Sequence, residues 1–228
     1  MINTSLDLII FDCDGVIVDS EVLSTRASTA ALAEFGLSLS EAQVADLLVG
    51  LTFEAGLKRI HEQYQLVLPP AFARRKMQLT EQLFRQELTP VPGLLDLLER
   101  LTLPYCVASN SSHERLRFSF EATNLTHYFD GRTYSADDVA QGKPAPDLFL
   151  HAAGQYHTPP QRCLVIDDSP SGVRAAVAAG MPVIGFTGGT HALPALAHQL
   201  HDAGATWVMP DYAAVSAHIE QYNVKEFS

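Results

Sequence analysis

The chain of 228 residues contains little cysteine, little positive charge and no long apolar run. Its three cysteines, Cys13, Cys106 and Cys163, are widely spaced and form no CxxC pair, which argues against a disulfide framework or a zinc site. Each lies in or beside a short apolar run, as buried thiols of reduced cytosolic proteins often do. We therefore expect three free cysteines with a structural role.

Basic residues are scarce: 15 Lys and Arg stand against 26 Asp and Glu, which gives a formal net charge of -11. A nucleic acid or an anionic membrane surface would need a basic patch, so neither partner is expected. No apolar run reaches membrane-spanning length, and no basic region precedes the first apolar run. These features predict a soluble, cytoplasmic protein.

Hydrophobic residues make up 47% of the chain, which is enough for a sizeable core. Short apolar runs alternate with helical patterns over most of the length. The predicted buried strands are residues 6–11, 105–108, 163–166 and 183–186, and the predicted helices between them are residues 93–101, 112–122, 147–156 and 170–179. Strands that alternate with helices predict an α/β fold, with a Rossmann-like parallel sheet covered on both faces.

The segment from residue 18 to residue 88 departs from this alternation. It contains no convincing strand, and Ser20 and Ser40 stand where they can cap two of its four predicted helices. The segment is too long to be a single crossover helix between parallel strands. We predict a core domain of residues 1–17 and 89–228 and an inserted all-helical domain of residues 18–88.

Two carboxylates follow the first predicted strand, in the sequence DCDG. Asp12 and Asp14 are two residues apart, and such residues point the same way on an extended chain. Two close anions repel one another unless a cation or a shared proton lies between them, and hard divalent cations such as Mg²⁺ prefer oxygen ligands. The alternative is a polar loop after a strand, where Asp and Gly are common.

Three further polar groups follow predicted strands, at the sheet edge where parallel α/β folds bind ligands. Ser109 leads into a helix whose first N–H groups can hold a phosphate-like anion. Lys143 lies in the sequence GKPAP, whose prolines stiffen the backbone. Asp167 and Asp168 end an apolar strand and can reach one metal ion if the chain turns there. The alternatives are a helix cap, a solvated lysine and acids that cap the next helix.

Taken in order, these groups resemble the motifs of the haloacid dehalogenase (HAD) superfamily. The phosphatase branch of that family has a DxDG motif, a Ser or Thr, a lysine and a pair of acids, which correspond here to residues 12–15, Ser109, Lys143, Asp167 and Asp168. The resemblance extends over nearly the whole chain, and the helical insert is similar to the helical cap of that family. It implies the HAD fold and phosphatase chemistry.

The resemblance also implies a role for each motif. Asp12 would attack phosphorus and form an aspartyl-phosphate, and Asp14 would protonate the leaving alcohol and then activate water. Ser109 and the Asn110 amide would hold phosphoryl oxygens. Lys143 would offset the charge between the phosphate and Asp12.

The cofactor that the resemblance implies is Mg²⁺. Its ligands would be the Asp12 carboxylate, the Asp14 carbonyl oxygen and the pair Asp167 and Asp168, of which Asp168 is the firmer assignment as a direct ligand. A dianionic phosphate has to approach several carboxylates, so positive charge is needed at the site.

Substrate selection is expected from the helical domain, through a loop around Gly50, while Glu21 is assigned either to the substrate cleft or to the cap hinge. The β-phosphoglucomutases, which the chain otherwise resembles, have a basic residue just before the loop glycine and an arginine three residues after it. This chain has Val49 and Phe53 at those positions, and Ser112 where the mutases have a lysine.

These departures favour a phosphatase of a small sugar phosphate, similar to the bacterial 6-phosphogluconate phosphatase group. A β-phosphoglucomutase-like phosphomutase is the alternative, and a non-enzymatic phospho-acceptor module is a third hypothesis. The expected partner is a small phosphorylated metabolite, and the expected state is a monomer or a weak homodimer. The glycine-rich loop at residues 185–190 is expected to be a turn after a strand, with substrate contact as the alternative.

Overall fold

The structure, a computed structural model, describes residues 5–48, 51 and 53–223. It divides the chain into two compact units, Ser20–Leu88 and the remainder on either side of that segment. We call these the helical unit and the core unit. The boundary between Asp19 and Ser20 lies two residues after the one expected from the sequence.

The core unit is built on one six-stranded sheet. Its strands are β1 (Leu8–Phe11), β2 (Tyr105–Ser109), β3 (Thr133–Ser135), β4 (Cys163–Asp167), β5 (Val183–Phe186) and β6 (Trp207–Met209). They lie in the order β3-β2-β1-β4-β5-β6, and every neighbouring pair is parallel. The predicted α/β fold with a parallel sheet is confirmed.

The edge strands β3 and β6 do not follow from the sequence pattern. Each has three residues, two of them only half-buried, whereas β1, β2, β4 and β5 are buried throughout. A strand in the middle of a parallel sheet is covered on both faces and therefore appears in the sequence as a continuous apolar run. An edge strand needs no such run.

The described residues of the helical unit form four helices, α1 (Glu21–Glu34), α2 (Glu41–Leu48), α3 (Phe53–Tyr64) and α4 (Pro70–Glu87). Ser40 begins α2 as expected, because its hydroxyl accepts from the Gln43 N–H while Gln43 accepts from the Ser40 N–H. The expected Ser20 cap is wrong: the Ser20 backbone is already helical, and its side chain makes no capping bond. The four helices enclose an apolar core that includes Leu32, Ile60 and Phe72.

The helices of the core unit are α5 (Leu94–Arg100), α6 (His113–Ala122), α7 (Thr126–Phe129), α8 (Asp147–Gln155), α9 (Pro170–Ala178), α10 (Leu196–Asp202) and α11 (Tyr212–Asn223). Two of them begin directly after a strand end. The Ser112 hydroxyl caps α6, and the Ser169 hydroxyl caps α9, where Pro170 occupies the first turn. Within the described ranges, no helix is long and apolar enough to cross a membrane.

Candidate active site

The carboxyl ends of the three central strands bring polar side chains to one edge of the sheet. Asp12 directly follows β1, while Ser109 and Asp167 are the last residues of β2 and β4. The strands β2 and β4 flank β1, and Phe11 is level with Val107 on one side and Ile166 on the other. The residues that follow these three positions therefore leave the sheet side by side.

Lys143 joins two of these strand ends. Its Nζ donates to Asp12 Oδ1 at 2.8 Å and to Asp167 Oδ2 at 2.7 Å, and its side chain is 3% exposed. The lysine reaches this position from the loop before α8. Two residues that are far apart in sequence from Lys143 thus share one buried ammonium group.

The Asn110 side chain fixes the backbone of Lys143. The Lys143 N–H donates to Asn110 Oδ1 at 2.8 Å, and Asn110 Nδ2 donates to the Lys143 carbonyl oxygen at 3.0 Å. This reciprocal pair ties the Lys143 backbone to the segment that follows β2. The sequence motifs assign only the Asn110 amide N–H to a phosphate, so this side-chain role is an additional finding.

Lys143 and the buried carboxylates of Asp12, Asp167 and Asp168 form a cluster, which we call the acidic cluster, with more negative than positive groups. Burial raises the pKa of Asp12 well above its ordinary value; Lys143 opposes this shift, and the neighbouring carboxylates add to it. Burial alone would lower the pKa of Lys143, but Asp12 and Asp167 outweigh that effect and raise it. Lys143 is therefore a cation at neutral pH, and it faces three buried carboxylates.

The three carboxylates form a candidate metal centre. Asp12, Asp167 and Asp168 each offer one oxygen, these oxygens all lie within 4.8 Å of one another, and all three residues are buried. An oxygen-only set of negative ligands suits a hard divalent cation such as Mg²⁺. The donor chemistry of the site therefore fits the predicted cofactor.

Two glycines make room for the acids. Gly15 has φ +77°, and a Cβ added there would lie 1.9 Å from Asp168 Oδ2. A Cβ added to Gly172 would lie 1.9 Å from Asp167 Oδ2. Any side chain at either position would displace a carboxylate of the cluster, so both glycines are needed for its geometry.

The Asp14 carboxylate has separate partners on the segment that follows β2. Its Oδ2 accepts from the Ser111 hydroxyl at 2.7 Å, and its Oδ1 accepts from Arg115 Nη2 at 3.1 Å. The sequence motifs indicate neither Ser111 nor Arg115. Arg115 lies on α6 together with Arg117, and no sequence signal distinguishes one of these arginines from the other.

For the remaining predicted site residues, the structure gives a position but few contacts. Ser109 is buried, and its hydroxyl accepts from the Ser111 N–H at 3.2 Å. Glu21 is the first residue of α1 in the helical unit. Gly50 lies outside the described residues. The catalytic, substrate and metal roles of all these residues stay predictions.

One further residue contacts the cluster and is absent from the predicted set. His191, in the loop after β5, has its Nε2 at 2.9 Å from Asp168 Oδ2. Burial raises the pKa of Asp168, and His191 opposes that shift. The only sequence signal near His191 is the glycine-rich run that ends just before it.

The fold and the acidic cluster are those of a known class. The chain belongs to the haloacid dehalogenase-like hydrolase family, whose model matches residues 9–186. It is 31% identical over 190 residues to the 6-phosphogluconate phosphatase of Escherichia coli (strain K12), a match that covers 83% of this chain and 86% of that protein. It is 30% identical over 178 residues to the fructose-1-phosphate phosphatase of the same organism, covering 77% and 94% respectively.

Solved structures agree with this assignment. A haloacid dehalogenase-like protein of unknown function from Agrobacterium tumefaciens is 37% identical, with a TM-score of 0.85 and coverage of 94% of this chain and 99% of that one. A HAD family hydrolase from Deinococcus radiodurans, solved with bound phosphate and sodium, is 30% identical, with a TM-score of 0.82 and coverage of 97% and 98%. The prediction of a HAD-family phosphatase is confirmed.

Proposed function

We propose that the protein is a Mg²⁺-dependent phosphatase that hydrolyses a small sugar phosphate, or a related metabolite, through an aspartyl-phosphate on Asp12. The observation that carries this proposal is the buried contact of Lys143 with Asp12 and Asp167. Burying three acids around one lysine is costly for folding, and such clusters are characteristic of functional sites.

In the first half-reaction, an Asp12 carboxylate oxygen forms a bond to phosphorus as the bond to the leaving oxygen breaks. Asp14 supplies the proton that the leaving alcohol needs. Lys143 offsets the negative charge shared by Asp12 and the phosphoryl group, and the Ser109 hydroxyl with the Asn110 N–H orients the phosphoryl oxygens. The product of this step is an acyl phosphate on Asp12.

In the second half-reaction, water attacks the phosphorus of the aspartyl-phosphate. Asp14 takes the proton of that water, and the bond between phosphorus and the Asp12 oxygen breaks to release inorganic phosphate. The contacts of its carboxylate with the Ser111 hydroxyl and Arg115 Nη2 hold the Asp14 side chain in one orientation for both proton transfers.

Asp12, Asp167, Asp168 and the Asp14 carbonyl oxygen would hold the Mg²⁺ ion. When bound, the ion supplies the positive charge that lets a dianionic phosphate approach these carboxylates. Each like-charge pair at 4 Å would otherwise cost about 4 kcal/mol at an effective dielectric constant near 20.

The substrate class rests on the relatives, which are named for 6-phosphogluconate and for fructose 1-phosphate. We assign the helical unit as the cap that selects the substrate, with the loop around Gly50 and with Glu21 as its contact residues. Phe53 and Ser112 stand where the β-phosphoglucomutases have cations, which supports hydrolysis over transfer to a second position on the sugar. A cytoplasmic location and a monomer or weak homodimer complete the proposal.

The test is release of inorganic phosphate from a panel that includes 6-phosphogluconate and fructose 1-phosphate, with Mg²⁺ or with EDTA. Asp12→Asn should lower turnover by about 10⁴-fold or more, as loss of a nucleophile does. The matched control is Asp202→Asn, which changes an acid that is 84% exposed on α10 and should leave turnover unchanged. Equal phosphate release by the wild type and Asp12→Asn would overturn the proposal.

The same proteins test the alternatives. Glucose 1-phosphate should yield free phosphate, whereas glucose 6-phosphate as the product would indicate a phosphomutase. A stable aspartyl-phosphate that forms without turnover would indicate a phospho-acceptor module.

A further inference from the structure

The glycine-rich loop after β5 delivers one side chain to the acidic cluster. The strand ends at Phe186, and the loop turns back where the Ala192 N–H donates to the Gly189 carbonyl oxygen at 3.1 Å. The Thr190 N–H donates to Asp19 Oδ1 at 3.1 Å, which ties the turn to the segment after β1. His191 lies between these two anchored residues.

The imidazole of His191 occupies a slot formed by glycine backbone. A Cβ added to Gly189 would lie 2.7 Å from two ring atoms of His191, and a Cβ added to Gly15 would lie 2.9 Å from the ring. The side chain is 13% exposed. The backbones of Gly189 and Gly15 therefore lie against two sides of the ring and limit its rotation.

From this slot, the imidazole of His191 contacts Asp168. Its Nε2 lies 2.9 Å from Asp168 Oδ2, while the group of mutually close ligand atoms consists of Asp12, Asp167 and Asp168. A carboxylate that serves as a metal ligand carries no proton, so the hydrogen of this bond comes from Nε2. His191 can therefore influence the candidate metal centre through its contact with Asp168.

We propose that His191 is a positioning residue of the metal centre, which holds the Asp168 carboxylate in its ligand orientation. This inference rests on the metal site of the proposed function. Asp167 is already fixed by Lys143 Nζ and by the Ser169 N–H and hydroxyl, whereas the histidine is the side-chain partner that the structure gives to Asp168. An aspartate held by a fixed donor loses less rotational freedom when it binds an ion, so the ion binds more tightly.

The test measures metal affinity without turnover. Mn²⁺, which accepts the same oxygen ligands, is titrated into the protein and the free ion is followed by electron paramagnetic resonance; Mg²⁺ affinity follows from displacement of Mn²⁺. The key variants are His191→Leu and His191→Gln. They are similar in size, but only the second keeps an N–H donor at about the reach of Nε2.

We expect His191→Leu to weaken Mn²⁺ binding by about 10-fold to 100-fold, as loss of a hydrogen-bonding partner of a metal ligand does. His191→Gln should stay within about threefold of the wild type, because the donor is restored. The matched control is His201→Gln, since that histidine is 80% exposed on α10 and should bind Mn²⁺ like the wild type.

Two results would overturn this inference but leave the proposed function intact. One is a wild-type affinity for Mn²⁺ in His191→Leu. The other is equal weakening of Mn²⁺ binding in both His191 variants, which would indicate a packing role only. Absence of Mn²⁺ binding by the wild type would instead overturn the metal site of the proposed function. Circular dichroism checks folding. Should the leucine variant fail to fold, His191→Asn replaces it, because the shorter amide cannot reach Asp168.

Discussion

The two units of this protein bury polar groups in different ways. In the helical unit, two buried hydroxyls are satisfied within their own helix: Ser28 and Thr80 donate to the carbonyl oxygens four residues earlier, at 2.8 and 2.9 Å. Its ion pairs Arg26–Glu87, Arg75–Glu34 and Lys58–Glu62 lie at the surface. These polar groups therefore serve the local fold.

The core unit instead buries charged groups together. Among the described residues, the buried charged side chains are Asp12, Lys143, Asp167 and Asp168, and all four belong to one cluster at the carboxyl edge of the sheet. A hydroxyl bonded to its own helix costs little, whereas an unbalanced buried charge opposes folding. The comparison identifies this edge of the sheet as the candidate site from the cost of burial.

After loss of the Asp12 nucleophile, the largest expected effect comes from removing the buried cation. Lys143→Met should lower turnover by about 10²-fold to 10³-fold, because the charge that faces the phosphate and Asp12 is lost. The control in the helical unit is Arg75→Met, which removes a cation paired at the surface and should leave both turnover and melting temperature nearly unchanged. Steady-state kinetics and thermal unfolding measure both, and a comparable loss of turnover in the two variants would remove the distinction between the units.

One glycine with positive φ in each unit allows the same comparison between the units. Gly15 and Gly36 have φ of +77° and +91°, but a Cβ at Gly36 would meet nothing within 4 Å, whereas one at Gly15 would meet Asp168. Gly36→Ala should cost only the left-handed strain of about 1–2 kcal/mol in the free energy of unfolding. Gly15→Ala should in addition weaken Mn²⁺ binding by at least about 10-fold, because a ligand is displaced. Equal Mn²⁺ affinity in both variants would contradict the role assigned to Gly15.

The contact of Arg115 with Asp14 predicts a smaller effect. Arg115→Met should lower kcat about 10-fold with little change in KM, because the proton transfer proposed for Asp14 depends on the orientation that this contact gives. Arg117→Met, on the same helix, changes an arginine that is 71% exposed and should leave kcat unchanged. A fall confined to KM would show that Arg115 binds the substrate rather than positioning Asp14.

The smallest effect concerns stability without metal. Because burial raises the pKa of Asp12 in the folded protein, the folded state binds this proton more tightly than the unfolded chain does. The resulting stabilisation is present below the unfolded pKa, about 3.9, and is lost as pH rises through the folded value.

Asparagine cannot ionise, so Asp12→Asn should melt a few degrees above the wild type in EDTA at pH 8, and this difference should shrink towards pH 5. The exposed Asp46 of the helical unit provides the control: Asp46→Asn should show no such dependence. Thermal unfolding at several pH values measures all three proteins. A difference that is constant with pH would show that the carboxylate charge of Asp12 is not what opposes folding.

Sequence patterns were most informative where a residue follows a buried strand. Asp12, Ser109 and Asp167 each end an apolar run, and the parallel arrangement of such runs requires that their ends meet at one edge. Lys143 could be assigned only through its motif, since it lies on a loop. The edge strand β6 has only three apolar residues, two of them half-buried, and a run this short does not predict a strand.

The partners that hold these groups could not be read from the sequence. Asn110, Arg115 and His191 contact Lys143, Asp14 and Asp168 respectively, and each of these partners lies far along the chain or on another segment. Such contacts leave no periodic pattern in the chain. The glycine-rich run before His191 indicated a turn, but nothing in it indicated Asp168 as the partner.

By itself, the sequence determined the α/β class, the order of the motifs and the presence of acids at the ends of buried strands, because burial and alternation leave regular patterns along a chain. Only the tertiary structure decided which atoms meet: Lys143 with Asp12 and Asp167, His191 with Asp168, and Arg115 with Asp14. The physical reason is that hydrogen bonds and ion pairs act over about 3 Å in space, whatever the separation of their residues along the chain.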